Sequence, residues 1–227
     1  MIKAVIFDLD NTLLDFMTMK SSAVNAGVRG MKEAGLNVDT DETIKQIFDI
    51  YNEKGYEYQE VFDDFIKQKI GHLDYRILAS AIMAYRKSKE ANLMLYPNVN
   101  RTLFMLSKMG LKLGVVSDAP SREAWLRLCY VNLHHIFDAV VTFDVTGVHK
   151  PSPVPFLKVT ELLDIPPEEM IMIGDWPERD VIGAKEVGMM TAFAKYGDTF
   201  GTEYSGADFD LNDIYELISI VNKINNS

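Results

Sequence analysis

The sequence predicts an α/β fold, a doubly wound parallel sheet with an all-helical segment inserted near its start. Three observations lead there. Short apolar runs rich in Val, Ile and Met recur along the chain, each stopped by a polar residue. Segments with helical spacing separate most of these runs. One long stretch after the first run has helical spacing throughout and no convincing strand.

The first run, Ala4 to Phe7, is short and branched, as suits a strand buried on both faces. From Met17 to Asn92 the apolar residues then fall into three stripes: Ile44, Ile47, Phe48 and Tyr51; Val61, Phe62, Phe65 and Ile66; Ile77, Leu78, Ala81, Ile82 and Tyr85. Asp39 and Glu42 predict a capping box before the first stripe, and Gly35, Gly55 and Gly71 punctuate the series. The return at Leu95-Tyr96-Pro97 reads as a hinge. The expected division is therefore a core of residues 1–15 and 95–227 with a helical lobe of 16–94.

Past the hinge, Leu103, Leu106 and Met109 share a helix face, and Leu111 to Val116 forms the next strand. Ser121 is expected to cap a helix that turns Trp125, Leu128 and Cys129 inward. A strand at Ala139 to Thr142 follows, then a helix opened by Ser152 with Phe156, Val159 and Leu163 on its inner side. Strands at Met170 to Ile173 and Met189 to Phe193 complete the sheet. Leu211, Ile214, Leu217, Ile218 and Val221 set the spacing of a last helix. The alternation is Rossmann-like, and such sheets bind ligands beyond the carboxyl ends of their strands.

Composition narrows the function classes. A chain of 227 residues can bury one large core or a core plus a lobe. Its formal charge of −10 argues against a nucleic-acid surface, which needs a basic patch. No uncharged run approaches the about 18 residues of a membrane span, and the N-terminus is apolar only as far as Phe7, short of a signal-peptide core. Cys129, the only cysteine, excludes an intramolecular disulfide and reads as a small buried hydrophobe in a reducing compartment. The expectation is a soluble cytoplasmic protein, monomeric or homodimeric.

The chemistry concentrates where strands end. The run Val5-Ile6-Phe7-Asp8-Leu9-Asp10-Asn11-Thr12 places two carboxylates at i and i+2, on one face. Two such anions repel unless a cation or proton compensates. Ser117 and Asp118 follow the second strand, Asp175 and then Asp180 follow "MIMIG", and Lys150 stands in "HKPSP". Two or three carboxylates with a substrate phosphate suit octahedral Mg²⁺, with Lys150 and the Ser117 hydroxyl left to hold phosphate oxygens. The histidines His72, His134, His135 and His149 have no zinc-like spacing.

Asp8-Leu9-Asp10-Asn11-Thr12, Ser117, Lys150 and Gly174-Asp175 with Asp180 together resemble, in order and context, the four motifs of the haloacid dehalogenase-like (HAD) hydrolase superfamily. The helical insertion resembles the cap of the branch that carries one between its first two motifs. Asn11 stands where glycine is frequent, and Trp176 is bulkier than the small residue often found there. The resemblance implies Asp8 as nucleophile and Asp10 as general acid and then base. It implies Mg²⁺ held by Asp8, the Asp10 backbone carbonyl and Asp175, with Asp180 on the ion or one step behind it. Thr12, Ser117, Asp118 and Lys150 would position the phosphoryl group, and Phe16 to Lys20 would meet the leaving group.

The implied activity is Mg²⁺-dependent hydrolysis of a small phosphorylated metabolite through an aspartyl-phosphate. Sugar phosphates, triose phosphates such as glyceraldehyde 3-phosphate, phosphoglycolate and nucleotides are the candidate substrates; no nucleic-acid polymer or membrane is expected as partner. Asp10 favours ester hydrolysis over 2-haloacid dehalogenation, which needs no second aspartate. A phosphomutase stays open on these residues. A phospho-accepting signalling module would need neither Asp10 nor the helical insertion.

Overall fold

The computed structural model describes residues 1–226. Among the described residues the strands are β1 (Ala4–Phe7), β2 (Lys112–Val116), β3 (Ala139–Val141), β4 (Met170–Gly174), β5 (Met190–Ala194) and β6 (Phe209–Leu211). They form one parallel sheet in the order β3-β2-β1-β4-β5-β6. The helices are α1 (Phe16–Glu33), α2 (Thr40–Lys54), α3 (Val61–Ile70), α4 (Tyr75–Asn92), α5 (Val99–Lys108), α6 (Ser121–Tyr130), α7 (Phe143–Thr146), α8 (Pro153–Leu163), α9 (Ile182–Glu186) and α10 (Glu216–Asn225). None is long and apolar enough to cross a membrane.

The sheet order reverses direction at β1, which pairs with β2 on one side and β4 on the other. Phe7 lies level with Val115 and Ile173, so the residues that follow β1, β2 and β4 emerge side by side. That crevice is where an open α/β sheet binds ligands. The chain packs as two compact units, Met1–Asp15 with Met94–Ser227, and Phe16–Leu93. In the first, Ala4, Ile6, Val116, Val141, Met170 and Met172 line one face of the sheet against Phe156 and Val159 of α8 and Ala184 of α9. Alternate residues of a strand share a face, which is why the even-numbered residues of β1 and β4 cluster here.

The helical unit buries the three stripes read from the sequence around Val24, Val28 and Met31 of α1. Asp39 caps α2 by accepting the Glu42 N–H at 2.9 Å, whereas the Glu42 side chain accepts from Gln46 at 3.0 Å, so only half of the capping box forms. Gly71 ends α3 in the left-handed region at φ +81°, a conformation open to glycine without a Cβ penalty. Within this unit Phe16, Met19 and Lys20 are buried. The Lys20 ammonium donates to the Tyr56 carbonyl at 2.6 Å and lies 3.8 Å from the centre of the Tyr51 ring.

Three expectations fail. Leu211 belongs to β6 and α10 starts only at Glu216, because one apolar residue of a three-residue strand fits a helical stripe by spacing alone. Ser121 is the first residue of α6 and not its cap; its N–H donates to Asp144 at 2.6 Å and its hydroxyl pairs with Thr142 at 2.6 Å. The face of α6 is also rotated. Glu123, Ala124, Arg127 and Leu128 are buried, while Trp125 and Cys129 are exposed. The physical reason is Arg127, whose guanidinium finds a carboxylate partner inside the protein, which offsets the desolvation of a buried charge.

Candidate active site

Asp8 leaves β1 with its N–H donating to the Ile173 carbonyl at 2.8 Å, which fixes it beside the end of β4. Asp175 follows β4 directly. Asp180 is brought back to the same point by one π-helical turn, Pro177–Val181, a rare local geometry that concentrates at functional sites. Gly174 makes room for it: a Cβ there would overlap the Asp180 carboxylate. The result is a buried group of Asp8, Asp175 and Asp180 whose oxygens lie within 4.8 Å of one another. Lys150 reaches into it from the loop before α8. Its ammonium donates to Asp8 at 2.5 Å, to Asp180 at 2.6 Å and to the Val116 carbonyl at 3.2 Å.

Three carboxylates against one ammonium leave an excess of negative charge in a site shielded from water. Burial therefore pushes Asp8 up from 3.8 to about 8, assisted by the charges of Asp180 and Asp10 and opposed by Lys150. Asp175 is raised well above the carboxylate range, by burial first and then by Asp8 and Asp180. Asp180 is raised by burial, with Lys150 pulling the other way. For Lys150 burial alone would lower the pKa, but Asp180, Asp8 and Asp118 outweigh it and hold the ammonium charged. The cluster is short of positive charge, and a small hard cation is what such an oxygen set accommodates. The residues present thus fit Mg²⁺, with Asp8, Asp175 and Asp180 as the carboxylates able to hold it. Among the described residues no histidine joins this group.

The other expected residues surround the cluster in different capacities. Thr12 is fully buried and its hydroxyl donates to Asp175 at 3.3 Å, so it braces a carboxylate of the cluster. Asn11 adopts φ 56°, a left-handed conformation that asparagine tolerates better than most residues. Gly197 packs on the Asn11 carbonyl so closely that a Cβ would overlap it, and the Tyr196 hydroxyl donates to the Thr12 carbonyl at 2.8 Å. Ser117, buried at the end of β2, accepts the Ala119 N–H at 3.2 Å. The Asp118 carboxylate lies beside the segment that carries Lys150. It accepts the Lys150 backbone N–H at 2.9 Å and the Arg179 guanidinium at 2.9 Å, and so anchors the segment that carries Lys150.

Asp10 is not one of the three clustered carboxylates, although its charge is felt at Asp8. Its side chain accepts from Arg127 at 2.6 Å, an interaction that sequence reading missed. Nothing in "WLRLCY" marks that arginine, since an arginine within an amphipathic helix is ordinarily exposed. Trp176 is half-buried between the Arg179 guanidinium, 3.9 Å from its ring, and the Phe200 ring, whose centre is 4.6 Å away. His149 stacks on Phe143 at 4.2 Å with its Nδ1 3.6 Å from Asp118.

Comparison with known proteins is consistent with this arrangement. Residues 5–194 match the model of the haloacid dehalogenase-like hydrolase family. The chain is 36% identical over 227 residues to a glyceraldehyde 3-phosphate phosphatase of Methanocaldococcus jannaschii, covering 99% of both chains. It is 32% identical over 230 residues to the protein of the same name from Methanopyrus kandleri, again covering 99% of both. Among solved structures, a HAD phosphatase from Thermococcus onnurineus aligns with a TM-score of 0.69 at 28% identity over 97% of this chain and 98% of that one. A four-motif site at the switch point of the sheet and a family match over most of the length lead to one conclusion: the chain belongs to the haloacid dehalogenase-like hydrolases.

Proposed function

We infer that the protein is a Mg²⁺-dependent phosphatase of small phosphorylated metabolites, with glyceraldehyde 3-phosphate the leading substrate. The observation that carries this reading is the buried Asp8–Asp175–Asp180 cluster bridged by Lys150, with a further carboxylate, Asp10, held beside it. The substrate rests on the relatives of that name, which match this chain over nearly its whole length.

In this reading an Asp8 oxygen attacks phosphorus, the ester P–O bond breaks, and the leaving oxygen takes a proton from Asp10. A water oxygen then attacks the phosphorus of the aspartyl-phosphate while Asp10 takes back a proton, releasing phosphate and restoring the Asp8 carboxylate. Lys150 keeps the phosphoryl oxygens and Asp8 in register, and the Ser117 hydroxyl and Thr12 support the same group. Asp118 contributes by fixing the Lys150 backbone. Mg²⁺, when bound by Asp8, Asp175, Asp180 and the Asp10 backbone carbonyl, neutralises the cluster and draws charge from the phosphoryl oxygens. Residues 16–94 are assigned as the cap and residues 1–15 and 95–227 as the catalytic core. Asp10 is what separates this reading from dehalogenation.

The test is phosphate release from a panel of phosphate esters with and without Mg²⁺, using Asp10→Asn as the control. Turnover that needs the metal, is fastest with glyceraldehyde 3-phosphate and collapses in the variant is the expected result. Halide release from a 2-haloacid, or no phosphate release from any ester, would contradict it.

A further inference from the structure

A buried guanidinium is an expensive way to complete a helix face, since a leucine or methionine would fill the same space without desolvation. Arg127 is 2% exposed, yet its Nη1 lies 2.6 Å from Asp10, whose own side chain is 23% exposed. The charge is therefore delivered from the inside of the protein to a carboxylate at the site. The helix that delivers it is itself braced, with the Ser121 N–H on Asp144 and the Ser121 hydroxyl on Thr142. The contact joins Nη1 to the Asp10 Oδ2, a short charge-assisted hydrogen bond that restricts where that oxygen can stand.

We propose that Arg127 is the positioning residue of Asp10: it holds that carboxylate in the one orientation from which it serves the leaving oxygen and then the attacking water. The inference rests on the acid–base role assigned to Asp10 above. Arg127 acts through Asp10, whose carboxylate it touches. Without this contact the Asp10 carboxylate is held less tightly, and the proton transfers lose alignment while Asp8, Asp175, Asp180 and Lys150 keep their mutual contacts.

The experiment uses Arg127→Met, Arg127→Lys and Asp10→Asn in the full chain with Mg²⁺. With glyceraldehyde 3-phosphate, Arg127→Met is expected to lower kcat about 100-fold, the scale of a misplaced catalytic group, with KM little changed. Arg127→Lys recovers part of the loss. With p-nitrophenyl phosphate the leaving group needs no proton, so attack by Asp8 proceeds and only water activation suffers. Arg127→Met then gives a rapid burst of one nitrophenolate per site followed by slow turnover, the same pattern as Asp10→Asn. A merely structural defect would lower burst and turnover together and raise KM, and that result, or wild-type kinetics in a folded variant, overturns the proposal. If Arg127→Met does not fold, Arg127→Lys decides on the same criteria: a reduced kcat with an intact burst supports it and unaltered kinetics overturn it. Undiminished turnover by Asp10→Asn would instead refute the acid–base reading on which the proposal stands.

Discussion

Lys150 carries much of the electrostatics of the site: its ammonium is shared by Asp8 and Asp180 and kept charged against its burial by the surrounding carboxylates. Lys150→Met is expected to lower kcat with glyceraldehyde 3-phosphate by a factor of hundreds, about 3 kcal/mol of lost transition-state stabilisation, which steady-state kinetics measures. The same cluster sets a pH dependence of stability in metal-free protein. The folded pKa of Asp8, about 8, is above its ordinary 3.8, so the native state binds the proton more tightly than the unfolded chain. That contribution is fully present below 3.8 and is lost as pH rises through about 8. Thermal unfolding with a chelator should therefore show stability falling over this window, and added Mg²⁺ should stabilise more at the alkaline end, where the carboxylates it needs are ionised; a metal effect independent of pH would contradict the assignment. Asp8, Lys150, Asp175 and Asp180 were legible because strand ends and short motifs mark them. Arg127 was not, because its function depends on which way α6 faces, and helix spacing alone placed Trp125 and Cys129 inward.

At the scale of elements, two glycines show how backbone proximity shapes the site. Gly174→Ala would force its Cβ into the Asp180 carboxylate and displace the π-helical turn, and Gly197→Ala would collide with the Asn11 carbonyl. Both variants should lose activity, and Gly174→Ala should also lose the Mg²⁺-induced rise in Tm, read by calorimetry with and without the metal. Retention of that rise would mean that Asp180 does not help to hold the ion. Neither crowding nor the π turn was readable from the chain, since "GDWPERD" looks like an ordinary strand end followed by a helix start. The strands β1 to β5 were legible from their apolar runs to within a residue or two. β6 was lost because a three-residue strand with an exposed central aspartate carries almost no pattern.

Among the described residues one hydrophobic core lies between the sheet and its helices and another lies inside the helical unit. Phe65 lies in the second and is 1% exposed. Phe65→Ala should cost about 3–5 kcal/mol in the unfolding of that unit, measured by denaturant titration. The three stripes that predicted this core are long and regular, which is why an insertion of helices was readable where the short strand β6 was not. The division of labour proposed for the whole chain, with chemistry in the sheet unit and residues 16–94 as a cap, turns on Asp8 as the residue that receives phosphate. The most direct test is to mix the Asp10→Asn variant with Mg²⁺ and p-nitrophenyl phosphate, quench in acid, and locate the phosphoryl group by peptide mass spectrometry. The account predicts one phosphoryl group on the peptide containing Asp8, absent when Asp8→Asn is added to the variant. A phosphoryl group found elsewhere, or turnover of glyceraldehyde 3-phosphate by Asp8→Asn alone, would contradict it.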